Sequence, residues 1–195
     1  MKYQIPNDQN EVLPNKLGLT SLTDINLSEF EGFLKAEIIL SERLTPSTKF
    51  SVSYILGIHK LALSHLYSFA GKYRDVNISK GGFPFAAARF LNETMKQFEQ
   101  EILKELPKKY IDRKQLISNI AKVHAELLLI HPFREGNGRT ARILANLMCR
   151  KAGFSSLKFE KIGEDEFKNY VLAIQVATDG EYRLMEKMID FIFPD

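Results

Sequence analysis

The sequence predicts an all-α protein, a helical bundle carrying one short β-hairpin. Three observations predict this. Apolar residues recur at steps of three and four along most of the chain, the spacing of a helix with one buried face. Strand-like alternation occurs only around 74–86, where Val76 and Ile78, then Phe83 and Phe85, flank a Lys-Gly-Gly turn. No repeat, low-complexity stretch or linker divides the 195 residues, so a single domain spanning 1–195 is expected.

Composition narrows the function classes. Hydrophobic residues make up 45% and charged residues 26%, as in ordinary soluble domains. The net charge of +3 comes without a long Lys/Arg run, so no nucleic-acid partner is expected. Cys149 is the only cysteine, which excludes an intrachain disulfide and argues against cysteine-held zinc. The first residues lack the apolar core of a signal peptide, and no apolar run reaches the roughly 18 residues of a bilayer span. No membrane partner and a cytoplasmic location are expected.

In chain order, residues 1–24 read as an irregular lead-in punctuated by Pro6, Pro14 and Gly18. A helix is expected to start near Asp24 or Asn26 and to run through the apolar positions Phe30, Phe33, Leu34, Ile38 and Leu40, stopping near Leu44 because Pro46 follows. Ser47 is a candidate cap for a second helix running to Phe69, with Phe50, Tyr54, Ile58, Leu61, Leu63 and Leu66 along it. Gly71 breaks the pattern, and 74–86 reads as the hairpin, with Pro84 marking an edge strand. Helix resumes over about 87–103, with Phe90, Leu91, Met95, Phe98 and Ile102 on one face. The clearest stripe, Leu116, Ile120, Val123, Leu127 and Ile130, leads to His131. Ile143, Leu144, Leu147 and Met148 form the next apolar face, ended by Gly153; helices over 164–176 and 182–192 close the chain.

Chemistry concentrates in His131-Pro-Phe-Arg-Glu-Gly-Asn-Gly-Arg-Thr-Ala-Arg142. Gly136-Asn137-Gly138 lies in a turn that opens a helix, where free N–H donors and the helix dipole favour anions. The glycines let a ligand approach the backbone without Cβ obstruction. Arg139 and Arg142 are expected to project from one helix face and to fork onto phosphate oxygens. Glu135 can hold a magnesium ion shared with phosphates. His131 ends the preceding helix and is placed to take a proton from a hydroxyl. Phe133, apolar between polar neighbours, is expected to anchor the loop. Taken singly, a helix-end histidine, a Gly-Asn-Gly turn and two helix arginines are each commonplace; their coincidence within one short stretch is what points to a polyphosphate site. His59, His65 and His124 have no ligand partners at metal-binding spacing and read as surface or core-edge residues. Cys149 reads as an unreactive helix residue.

The motif resembles that of Fic-domain proteins, His-x-Phe-x-(Asp/Glu)-Gly-Asn-Gly-Arg-x-x-Arg, matched in full by His131, Phe133, Glu135, Gly136, Asn137, Gly138, Arg139 and Arg142. The stretch 68–85 is similar to the segment leading into that family's flap hairpin, and Leu13-Pro-Asn-Lys-Leu-Gly18 to the lead-in of bacterial members. The resemblance implies transfer of AMP from ATP to a Tyr, Ser or Thr hydroxyl of a target protein. His131 is then the base, Glu135 the Mg²⁺ ligand, Gly136, Asn137 and Gly138 the phosphate cradle, and Arg139 and Arg142 the β- and γ-phosphate ligands. It also implies that the target docks as an added strand on the flap, Val76, Asn77, Ile78, Ser79, Lys80, Gly81, Gly82 and Phe83. A phosphotransferase variant carries Lys in place of the second glycine; Gly138 here favours adenylyl transfer. Many members are inhibited by (Ser/Thr)-x-x-x-Glu-(Gly/Asn), whose Glu pairs with the second motif arginine. Glu31-Gly32 lacks the leading hydroxyl residue, and Ser156 to Glu160 is followed by Lys161. With no full match, control by a small antitoxin supplying the glutamate in trans is expected, as for a bacterial toxin. The alternatives are a phosphotransferase on the same fold and a non-catalytic module that binds nucleotide or a partner.

Overall fold

The computed structural model describes residues 12–194. The irregular lead-in expected over 1–24 lies outside the described residues as far as residue 11; the remainder stays non-helical until Leu22. The chain then forms α1 (Leu22–Glu42), α2 (Val52–Leu63), the hairpin strands β1 (Ser79–Lys80) and β2 (Phe83–Pro84), α3 (Leu91–Phe98), α4 (Arg113–Ile130), α5 (Asn137–Lys151), α6 (Glu164–Val176) and α7 (Arg183–Phe191). The all-α architecture with one antiparallel hairpin is as the sequence predicts.

α4 is the axis of the bundle. It packs against α5, α6 and α7, and more lightly against α3. Its whole predicted stripe is buried. Leu116, Ile120 and Leu127 are essentially inaccessible, each contributing about 1.5–3 kcal/mol by burial. The start of α4 is set by Asp112, whose carboxylate accepts from the Gln115 N–H at 2.8 Å. α1, α2 and α5 form the other half of the core.

α1 does not bury the Phe30, Leu34 and Ile38 side of the helix. Those residues are about half exposed, and Ile25, Glu29, Gly32, Phe33 and Ala36 face inward instead. The reason is a close helix crossing. A Cβ on Gly32 would lie 2.1 Å from the Ala62 carbonyl oxygen of α2, so glycine sets which face of α1 docks. Several expectations are corrected. The α2 cap is Ser51, which accepts from the Tyr54 N–H at 3.1 Å, not Ser47, which is engaged with Thr45 in a turn. α2 also ends at Leu63 rather than Phe69; Leu66 stays buried in a turn and Tyr67 just after it. Phe90 is exposed, lying in a 3₁₀ turn before α3 with the Arg89 guanidinium over its ring. The hairpin is shorter than the alternation suggested, with Ser79 opposite Pro84 and Lys80 opposite Phe83. Its two turn residues, Gly81 and Gly82, both adopt positive φ (56° and 80°), the requirement of a two-residue hairpin turn.

Gly32→Ala is expected to destabilise the fold by about 1–3 kcal/mol through overpacking against α2. A thermal melt in which this variant matches the parent would contradict the crossing as the reason for α1's docking face.

Candidate active site

His131 is the hinge between α4 and the motif loop. It caps α4 in a left-handed conformation (φ 50°, ψ 59°) and is the only non-glycine residue with positive φ among the described residues. Such a conformation costs on the order of 1–2 kcal/mol and persists only where the surroundings enforce it. The imidazole Nδ1 lies 3.0 Å from the Leu128 carbonyl. A carbonyl can only accept, so Nδ1 carries the proton and Nε2 keeps its lone pair. Burial pushes the pKa down to about 4, opposed by the Leu128 hydrogen bond and assisted by the positive charges of Lys80 and Arg74. The Phe85 ring, just past β2, stacks on the imidazole at 3.8 Å between centroids. The structure therefore holds a neutral histidine with a defined tautomer beneath the hairpin.

Pro132 and Phe133 of the loop after His131 are buried, and the carbonyls of Pro132, Phe133 and Glu135 are paired. Phe133 is fully buried and stacks on His59 at 3.8 Å. His59 accepts from the Gly71 N–H through Nδ1 (2.8 Å), so its Nε2–H donates to the Glu135 carbonyl (3.0 Å). Burial lowers the His59 pKa to about 4. Asn137 reaches back to Phe133 twice: its Oδ1 accepts from the Phe133 N–H and its Nδ2 donates to the Phe133 carbonyl, both at 2.8 Å. The Asn137 side chain is thus engaged in shaping the loop, which leaves its backbone N–H as the group it can present to a ligand.

Gly136 and Gly138 are glycines for different reasons. Gly136 has φ 75°, and a Cβ there would lie 2.8 Å from Phe33 Cζ of α1. Gly138 has ordinary helical geometry, and a Cβ there would meet nothing within 4 Å. Among the described residues no neighbour demands a glycine at 138, and the space beside it is open at the first turn of α5, whose N–H groups have no intrahelical acceptors. The Glu135 carboxylate accepts from the Gly136 N–H at 2.7 Å and from Arg139 at 3.3 Å, with its side chain 45% exposed. Among the described residues no cluster of three or more His, Cys, Asp or Glu side chains could hold a metal. A cation at Glu135 would need oxygens from a bound ligand, and a half-exposed carboxylate suits that arrangement.

The two arginines do not share one wall of the site, as their spacing suggested. Arg139 turns to α1, where it pairs with Glu29 and lies over the Phe33 ring at 4.7 Å. Glu29 is 3% exposed and also accepts from the Tyr67 hydroxyl at 2.6 Å. Arg142 turns to the other side, near the Phe159 ring (5.3 Å) and the Tyr170 hydroxyl. Tyr170 lies 2.6 Å from Nε2 of His124, whose Nδ1 lies 3.2 Å from the Ala141 carbonyl and so carries the proton. His124 is thus a buried core residue, not the surface or core-edge histidine expected. Glu29, His59, Tyr67 and His124 all escaped the sequence reading as supports of the site. The one available signal was a polar residue on a buried helical face: His59 follows Ile55 by four, and Glu29 follows Ile25 by four.

The hairpin lies over His131. Its residues 79–82 are exposed, as is Asn77, whose side-chain oxygen accepts from the Ala88 N–H at 2.8 Å and ties the start of the hairpin to the turn that follows it. His59, His124 and His131 all have folded pKa values near 4, below the ordinary value of 6.5. The unfolded chain therefore binds more protons between those values. The stability due to these three groups is fully present above pH 6.5 and is lost as pH falls towards 4. Melting temperatures measured at steps through this window should decline; a constant value would contradict the buried neutral state of these histidines.

Comparison with known proteins agrees with this architecture. The sequence model of the Fic/DOC family matches residues 49–149. The protein adenylyltransferase VbhT of Bartonella schoenbuchensis is 30% identical over 158 residues, covering 78% of this chain and 33% of that protein. The protein adenylyltransferase Fic of Nematostella vectensis is 28% identical over 174 residues, covering 88% of this chain and 39% of that protein. The chain thus spans about a third of the length of these curated relatives. Among solved structures, the N-terminal FIC domain of Bep8 from Bartonella sp. 1-1C superposes with a TM-score of 0.79 at 22% identity, covering 98% of this chain and 94% of that one. BepC from Bartonella tribocorum, solved with bound AMPPNP, gives 0.78 at 22% identity, covering 94% and 92%. A motif matched at every family position, the fold that carries it and the family match over more than half of its length make this chain a member of the Fic/DOC family.

Proposed function

We propose that this chain is a protein adenylyltransferase, moving AMP from ATP to a hydroxyl of a target protein. The observation that carries the reading is the neutral His131, with its Nε2 lone pair left available, set between an exposed hairpin and the open N-terminus of α5. In the proposed reaction the target hydroxyl oxygen attacks the α-phosphorus. His131 Nε2 takes the hydroxyl proton, the bond from the α-phosphorus to the bridging oxygen breaks, and pyrophosphate leaves. The backbone N–H groups at the start of α5 hold the phosphates, and Arg142 and the exposed part of Arg139 add positive charge where the leaving group gains negative charge. Glu135, together with phosphate oxygens, would hold Mg²⁺, whose charge offsets that of the triphosphate. The target strand adds to the hairpin, with main-chain pairing that reads extended backbone more than side-chain identity. The names of the relatives support the same activity.

Control in trans by an antitoxin is part of the proposal. Its support is the incomplete inhibitory motif and the placement of Glu29, which pairs with Arg139 and not with Arg142. Arg142 is left as the arginine for an incoming glutamate to cover. No helix among the described residues is long and apolar enough to cross a membrane.

ATP labelled at the α-phosphate should label protein, and γ-labelled ATP should not. His131→Ala should lower that labelling by at least about 100-fold, the usual contribution of a positioned base, with the fold retained by circular dichroism. Label arriving only from the γ position would establish phosphoryl transfer instead. The purified chain should be active without a partner. A weakly active chain released sharply by Glu31→Gly or Glu160→Gly would place the inhibitor within the chain.

A further inference from the structure

We propose that Arg74 is a positioning residue that joins the flap hairpin and His131 into a single rigid unit, so that the base and the docked target strand keep one fixed relation. The proposal rests on the adenylyl-transfer reading of the same site.

Arg74 is 4% exposed, and among the described residues no carboxylate pairs with it. A buried charge is normally paired; this one is satisfied by backbone carbonyls alone. Its Nε donates to the His131 carbonyl at 2.8 Å, and its Nη1 to the Val76 carbonyl at 2.7 Å. Its Nη2 donates to the Ala86 carbonyl and, at 3.4 Å, to that of Ile130. The Arg74 backbone N–H adds a bond to the Pro132 carbonyl at 2.9 Å.

The identity of these acceptors is what suggests the role. Ile130 and His131 end α4, where carbonyls lack helical donors and the dipole is negative, so a cation is stabilised there. Val76 and Ala86 stand at the two legs of the hairpin. One planar guanidinium therefore binds both legs and the backbone of the left-handed histidine at once. Ala86 directly follows Phe85, whose ring stacks on the imidazole, so the same grip sets the ring that covers the base. Burial lowers the Arg74 pKa only to about 10, which leaves it charged at neutral pH. A lysine has its three donors on one nitrogen and cannot reach acceptors spread around a planar fork.

The test compares Arg74→Lys, Arg74→Met and Arg74→Ala with the parent, using α-labelled ATP and a protein acceptor. The expected result is a loss of kcat on the order of 100-fold, as misplacing a reacting group costs, with the KM for ATP within about 3-fold because α5 is untouched. Lysine should not rescue. Millimolar guanidinium should restore part of the activity of Arg74→Ala, and methylammonium should not. A surface cavity of about 420 Å³ bordered by Phe69, Lys72, Tyr73 and Arg74 offers guanidinium a way in. Carbon-13 NMR titration of the His131 ring should show a higher pKa in Arg74→Met than in the parent, because a ring released from its fixed backbone is less buried and has lost a neighbouring positive charge. Unchanged kcat in a folded variant, equal loss of ATP binding, full rescue by lysine, or unfolding of the whole series would each overturn the proposal. If the parent labels nothing, the transfer reading fails, and the ring titration still decides whether Arg74 sets the histidine.

Discussion

A buried loop must satisfy its backbone polar groups internally, and the site is built around that constraint. The segment from Ile130 to Glu135 joins α4 to α5 and is buried at Ile130, Pro132 and Phe133. The carbonyls of Ile130, His131, Pro132, Phe133 and Glu135 are claimed by Arg74, Asn137 and His59, drawn from the hairpin lead-in, α5 and α2. Phe133 fills the core below. The left-handed backbone of His131, unfavourable alone, follows from a loop held at so many points. His131 inherits its orientation from groups on three other elements of the fold.

The same economy governs the charges. Each motif arginine has a tyrosine-containing support on its own side of α5: Glu29 with Tyr67 for Arg139, and Tyr170 with His124 for Arg142. The two supports differ in charge. Glu29 is a carboxylate, so the positive charge of Arg139 is already largely balanced. Tyr170 and the neutral His124 orient Arg142 without cancelling its charge. The two arginines are thus unequal towards an incoming polyanion, which nothing in their spacing reveals. Glu135 lies within reach of Arg139 and of the Gly136 N–H, so the carboxylate suited to a cation is oriented by the same network.

α1 joins this arrangement through one face. Gly32 lets it press against α2, which brings Phe33 beneath Gly136 and Glu29 against Arg139. The larger apolar residues, Leu27, Phe30, Leu34 and Ile38, are left about half exposed. Choosing the docking face by backbone proximity instead of by apolar bulk places the buried Glu29 against Arg139.

The sequence by itself determined the helical class, the α4 stripe, the hairpin and the glycine-rich opening of α5. Each is written in local spacing or in residues whose backbone freedom is unusual, such as Gly81 and Gly82. It also marked His131, Glu135 and the arginines, because their types are crowded into one short stretch. Only the tertiary structure decided what those residues touch. Glu29 and Arg139 are 110 positions apart, and His59 and Glu135 are 76 apart. No local pattern encodes such pairs. It likewise decided that Asn137 shapes the loop, that His124 is buried, and which face of α1 turns inward. A helix with apolar residues on more than one side has several plausible faces, and only the shape of its neighbour selects among them.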